Sequence, residues 1–206
     1  LHNPTAVSSS TAGFTLEVIG TQSGSFPLPE GSVPAGGFVS YTEAQLGFRP
    51  AAGDKVILRS PGGSLADVQS ADDVVRGASA AWPGRWLYPS AATPGTVNAI
   101  PLQQDIVINE ICYHPPEINA TSGDKQWLEL YNKGVSPVNL SGWSFGAGVD
   151  FTFPNGTVIA PGGYLVIAKD PAGLLTQFPG INVAGPYGGS LAGSGERILL
   201  LDAAGN

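Results

Sequence analysis

The chain has no methionine, one cysteine, two histidines and few charges, with only 12% of its 206 residues Asp, Glu, Lys or Arg. Each scarcity excludes something. A single cysteine, Cys112, leaves no intrachain disulfide to form. Two histidines, His2 and His114, starve most catalytic triads and histidine-rich metal centres of residues. Nine basic residues against 16 acidic ones give a net charge of −7, and no Lys/Arg cluster interrupts that field. Such a surface repels phosphate backbones, so nucleic acid is a poor partner. No apolar run approaches the roughly 20 residues that a membrane-crossing helix needs. The sequence opens on Leu1, with neither an initiator methionine nor a signal-peptide pattern in it, and is expected to be a processed chain or a piece of a longer one.

What is abundant is glycine, 29 residues, and proline, 18, within a chain that is still 42% hydrophobic. That apolar content excludes a disordered polymer. Short β-branched and aromatic runs punctuated by turn residues predict an all-β fold. Strands are predicted at 14–18, 38–41, 55–58 and 66–68. A second series follows at 106–112, 127–131, 143–145, 151–153, 164–168 and 197–201. Only Thr42–Leu46 and Pro171–Gln177 read as helical, each as a connecting turn. Alternation through Ile106–Cys112 predicts a small buried role for Cys112, with a reactive or intermolecular thiol as the other option.

The two series are one pattern written twice. Leu1-His-Asn3 and Ala12-Gly-Phe-Thr-Leu16 match Leu130-Tyr-Asn132 and Ser141-Gly-Trp-Ser-Phe145 at a constant offset of 129. Phe26–Val33 matches Phe151–Val158, Pro34–Val39 matches Ala160–Leu165, and Gly53–Leu58 matches Gly195–Leu200. The block order never changes, which predicts a duplicated module. We expect a first module over 1–98, a linker over 99–105 and a second module over 106–206. The first lacks a counterpart of Ile106–Glu129 and the second lacks one of Leu65–Asn98. Both therefore read as truncated, and the parent chain is expected to run on in both directions with further copies.

Five spaced blocks give the pattern a likeness. Ile106-Val-Ile-Asn-Glu-Ile111, Trp127-Leu-Glu-Leu-Tyr-Asn132, Leu140-Ser-Gly-Trp143, Phe153-Pro-Asn-Gly156 and Pro161-Gly-Gly-Tyr164 resemble the lamin-tail domain family. The resemblance implies two immunoglobulin-like β-sandwich modules in tandem. It also implies scaffolding or interaction, with no catalytic residues to carry over. Bacterial members are typically secreted or surface-attached, so the expected location is extracellular or at the cell surface.

Against that background, few residue clusters in the sequence could carry chemistry. Glu110, Cys112 and His114 alternate on one predicted strand and, with Glu117, form the best metal candidate. Pro115-Pro116 breaks that strand and one face must enter the core, so the expectation is no metal and no cofactor. Asp67, Asp72 and Asp73 lack the spacing of a calcium loop and read as a solvated acidic surface. Ser23 and Ser190 lie in glycine-rich loops without the Gly-x-Ser-x-Gly elbow, and Gly188–Gly193 lacks the lysine of a phosphate loop. Asn119, Asn139 and Asn155 open glycosylation sequons, which count only in a eukaryotic source.

The aromatics are the stronger binding signal. Trp82, Trp86 and Tyr88 crowd a Pro/Gly-rich stretch where a sugar ring or a partner's side chain could stack; the competing expectation puts Trp86 at the base of the sandwich. Trp127 and Trp143 are expected in the core. The sequence thus predicts no enzyme but a structural and interaction module, assembling with itself or with neighbouring repeats head to tail into a fibre or surface layer. The alternative is a glycan- or surface-binding module beside a secreted enzyme. A hydrolase would need a carboxylate pair in a cleft, and no such pair is recognisable.

Overall fold

The computed structural model describes residues 1–115 and 125–206. Pro116, Glu117, the Asn119 sequon and the turn expected at Ser122–Asp124 lie outside the described residues. The chain divides into two compact units, Leu1–Ile100 and Pro101–Asn206. Among the described residues, apart from two short helices, the regular structure is all β.

Unit 1 holds strands β1 (Ser9–Ser10), β2 (Thr15–Ile19), β3 (Gly24–Pro27), β4 (Ser32–Val33), β5 (Lys55–Arg59), β6 (Leu65–Ser70), β7 (Gly77–Ala78) and β8 (Trp86–Leu87), with helix α1 (Glu43–Leu46) after β4. Its main sheet is antiparallel in the order β3-β2-β5-β6, while β1-β4 and β7-β8 form short ribbons. Alternation in β2 sends Leu16 and Val18 to one face, opposite Leu58 and Val56 of β5. Glu17 points to the other face, where its carboxylate pairs with Arg59 Nε at 2.6 Å. Both side chains are a quarter to a third exposed, so this pair contributes only about 0.5 kcal/mol. Thr42 caps α1 and Gln45 closes the capping box from within the helix.

Unit 2 holds β9 (Ile106–Cys112), β10 (Trp127–Asn132), β11 (Val138–Asn139), β12 (Ser144–Ala147), β13 (Val158–Ile159), β14 (Tyr164–Ala168), β15 (Val183–Ala184) and β16 (Leu199–Leu201). Helix α2 (Pro171–Gln177) follows β14. A four-stranded sheet, β15-β14-β10-β9, faces the pairs β11-β13 and β12-β16. Leu128 and Leu130 from β10 and Leu165 and Ile167 from β14 share one cluster with Leu140, Phe145, Phe153 and Ile159. That is an immunoglobulin-like sandwich core. On the opposite face of β14, Val166 and Ala168 pack under Leu174 of α2, with Trp127 at the edge. Trp143 is core, as expected, whereas Trp127 is half-buried beside this outer cluster.

Three local expectations need correcting. Cys112 does not share a face with Ile106 and Ile108. Glu110 lies opposite Glu129, and Ile108 lies opposite Leu130, so Asn109 is an extra residue bulged out of the ladder. The bulge reverses the parity of the strand. Ile106 and Ile108 face the core before it and Ile111 faces Leu128 after it, which leaves Glu110 and Cys112 on the outer face. The second correction is that residues 38–41 form no strand beyond a bridge between His2 and Phe38. Their counterpart β14 is a full strand because β10 runs beside it for five pairs. The third is Phe151–Phe153, which bridges only through Thr152 and Ser144 before Pro154 ends the run.

Matched hydrogen bonds run through both units. The Asn3 amide donates to Val7 O at 2.8 Å and Val33 O at 2.9 Å. The Asn132 amide donates to Ser136 O at 2.8 Å and Ile159 O at 3.0 Å. Asn3 N donates to Gly37 O, and Asn132 N to Gly163 O, both at 3.0 Å. Leu28 N donates to Phe14 O, and Phe153 N to Trp143 O, at 2.9 and 2.8 Å.

A buried carboxylate fastens the turn ahead of β5. Asp54 is 2% exposed. It accepts from the backbone N–H groups of Ala51 at 2.8 Å, Thr21 at 2.6 Å and Gln22 at 3.1 Å. A side chain at Gly20, whose φ is +152°, would collide with this carboxylate. The Ala51 N–H and then those of Thr21 and Gln22 hold the Asp54 carboxyl below its usual 3.8, against burial, which raises it. Because the folded value is the lower one, the carboxylate's contribution is complete above the ordinary pKa and is lost as pH falls through the depressed one. Asp54→Asn is therefore expected to lower the Tm of unit 1 by several degrees at pH 7, with the deficit shrinking below about pH 4. Melts of both proteins from pH 7 to 2 check this; a deficit that does not change with pH would refute it.

Candidate functional site

The aromatic stretch is a locked ribbon. Gly77 pairs with Leu87 and Ala78 with Trp86, and the chain turns between them with Arg85 N donating to Trp82 O at 3.1 Å. Asn98 braces it from outside by donating to Ala78 O at 2.9 Å, and a Cβ at Gly77 would run into this asparagine. The three expected binding residues serve different neighbours. Trp82, 38% exposed, lies under the Arg85 guanidinium at 5.5 Å. Tyr88 donates to the Asp72 carboxylate at 3.2 Å and has Arg76 over its ring at 5.8 Å. Trp86 is half-buried and lines a groove.

The groove lies on one face of the main sheet of unit 1. Leu16, Val56 and Leu58, on one face of the main sheet, form its floor with Leu1, Val74 and Trp86, around a cavity of about 400 Å³. Arg49, Arg76, Asp67 and Asp72 supply charge at its walls. A smaller hollow of about 210 Å³ continues over Phe14, Leu28, Val33 and Leu58. Arg76 Nη2 reaches Trp86 O at 3.4 Å, while its Nε is buried with no hydrogen-bond acceptor. Val18 is buried, but Leu16, Val56 and Leu58 are each only half-buried. Full burial of a leucine contributes about 1.5–3 kcal/mol, so the open face leaves a substantial part of that unrealised. At the matching positions of unit 2, Phe145 and Leu200 belong to the cluster closed by Leu128 and Leu130.

The remaining candidates are dispersed. Glu110 and Cys112 lie on the outer face of β9, and burial, with the Glu110 charge adding to it, pushes the Cys112 thiol up. Among the described residues no group of three or more His, Cys, Asp or Glu side chains converges as a metal site would require. His2 stacks on Phe38 at 4.4 Å and His114 lies 6.4 Å from the Tyr113 ring. Asp72 is engaged by Tyr88, and Asp67 faces the groove from β6.

The lamin tail domain model matches residues 101–206. The chain belongs to the lamin tail domain family. The matched stretch coincides with unit 2 and its closed sandwich. Lamin tail domains are immunoglobulin-like interaction and structural domains and, as a family, are not enzymes. No curated protein and no solved structure matches the chain. What sequence reasoning missed is the groove floor. Its residues were present in the matched blocks, where Leu16 and Leu58 align with Phe145 and Leu200.

Proposed function

We propose that this lamin tail chain is a non-catalytic structural and interaction module of an extracellular or cell-surface protein, two copies of one module that associate through the open inner face of unit 1. The observation that carries the reading is the half-buried floor of Leu16, Val56 and Leu58, an apolar patch of the kind that marks interaction sites. The duplication is supported by the matched hydrogen bonds of Asn3 with Asn132 and of Leu28 with Phe153. The extracellular setting is what the resemblance to bacterial members of the family implies. The open face has no equivalent on unit 2, whose matching positions are covered. An association that uses different surfaces on the two partners does not close on itself and propagates head to tail.

Light scattering after size exclusion, with electron microscopy of the same sample, tests this. Species larger than the 21.0 kDa chain should grow with concentration and disappear in Leu58→Asp. A single 21.0 kDa species at every concentration would overturn assembly. The alternative, glycan binding, is favoured by the exposure of Trp82, although Arg85 already occupies one face of its ring. Binding on a glycan array that Trp82→Ala abolishes is the result that would favour it.

A further inference from the structure

We infer that Asn155 is a covalent modification site, where water converts the carboxamide to aspartate and isoaspartate at a rate governed by Ser141. The inference is independent of the interaction reading above. Asparagine is one of the thermolabile side chains, and it is lost fastest where glycine leaves the next backbone nitrogen unobstructed. Asn155 is the only asparagine of the chain that glycine follows. It is exposed, in the turn that leads into β13. Thr157 closes that turn by donating to Pro154 O from its N–H at 3.2 Å and from its hydroxyl at 2.8 Å. Gly156 has a φ of +85° and open space where a side chain would lie, so nothing covers the nitrogen from that side.

The reaction needs only solvent. A solvent base takes the proton of Gly156 N–H, and the nitrogen attacks Asn155 Cγ. The bond from Cγ to the carboxamide nitrogen breaks, ammonia leaves, and a five-membered succinimide closes. Water then opens the ring at either carbonyl, giving aspartate or isoaspartate, and nothing is oxidised or reduced. The attack is intramolecular, so whatever holds the nucleophile away from its target controls the rate.

Here Ser141 holds it. Gly156 N–H donates to Ser141 Oγ at 2.9 Å, and the Ser141 hydroxyl donates in turn to Asn139 Oδ1 at 2.6 Å. The nitrogen must leave this chain of bonds before it can lose its proton and swing towards Cγ. Asn139 is exposed too, but Leu140 follows it, and its Oδ1 is already engaged by the N–H and hydroxyl of Ser141. The matched positions of unit 1 are Glu30 for Asn155 and Ala12 for Ser141. A carboxylate at the first and an alanine at the second are therefore compatible with this turn. Isoaspartate is not equivalent to either, because it adds a carbon to the main chain and draws Gly156 away from Ser141.

The test incubates the full 206-residue chain at pH 8 and follows each asparagine by peptide mapping, with isoaspartate counted by enzymatic methylation. Asn155 is expected to convert first, to a mixture of isoaspartate and aspartate. Ser141→Ala should convert about fivefold faster, the weight of one lost hydrogen bond. Ser141→Thr, which keeps the hydroxyl, should return to the wild-type rate, and this separates the bond from any general loosening of the turn. The chain unfolded in urea should convert faster than the native one. Conversion of another asparagine ahead of Asn155 in the native chain would overturn the site. Equal rates in wild type and Ser141→Ala, or in native and unfolded chain, would overturn the control by Ser141.

Discussion

Replacing Asn132 by Asp is expected to destabilise unit 2 by about 3 kcal/mol, although the two side chains have nearly the same shape. Asn132 is fully buried. Its amide donates to Ser136 O and Ile159 O, and its Oδ1 accepts from Gly134 N at 2.9 Å. Its backbone adds a bond in each direction, to Gly163 O and from Gly162 N. One residue thus ties the end of β10 to the β13–β14 turn and to the loop that begins β11. Aspartate keeps the acceptor but turns two donated bonds into oxygen facing oxygen, and it must lose either its charge or its dry surroundings. Hydrogen exchange followed by mass spectrometry resolves the effect by unit, which matters because two units need not unfold in one transition. Exchange should accelerate through β10, β11, β13 and β14, and Asn3→Asp should produce the same effect in β1 and β4. Wild-type exchange in Asn132→Asp would mean that water replaces the lost donors and that the asparagine is not the clasp its geometry indicates.

These asparagines show where sequence reading succeeded and where it stopped. The all-β class, both helical turns and the buried Trp143 were legible, because period-two alternation and turn chemistry are local properties. The matched blocks even contained Asn3 and Asn132, but a buried asparagine and an exposed one look alike in a sequence. Only the carbonyls around it reveal the role, and those come from residues up to 31 positions away. The face of Cys112 was misjudged for a related reason. A bulge is one unpaired residue, and nothing in Ile106–Cys112 marks Asn109 as that residue until Leu130 and Glu129 are laid opposite. Trp82, Trp86 and Tyr88 lie close along the chain, but Trp82 sits under Arg85 and Tyr88 is held by Asp72 and Arg76, so of the three Trp86 lines the groove. Residues 38–41 alternate as a strand would, but a strand is defined by its partner, and there the pairing amounts to the single bridge between His2 and Phe38.

The contrast between a closed sandwich and an open one can be measured at a single pair of positions. Phe153→Ala is expected to cost unit 2 about 4 kcal/mol, and Leu28→Ala to cost unit 1 about half of that. Phe153 is 1% exposed, makes an edge-to-face contact with Phe151 at 5.0 Å and lies 6.0 Å from Phe145. Its removal leaves a cavity walled by rings that both sheets hold in place, so little relaxation is available. Leu28 holds the matching hydrogen bond and is 6% exposed, but it borders the 210 Å³ hollow over Leu58. Part of the cavity that Leu28→Ala would create is already open there, so fewer contacts are lost. Urea denaturation resolved by unit gives both values. If Leu28→Ala cost as much as Phe153→Ala, the inner face of unit 1 would have to be covered in solution, most directly by another copy of the chain, and diluting the protein should then lower the cost.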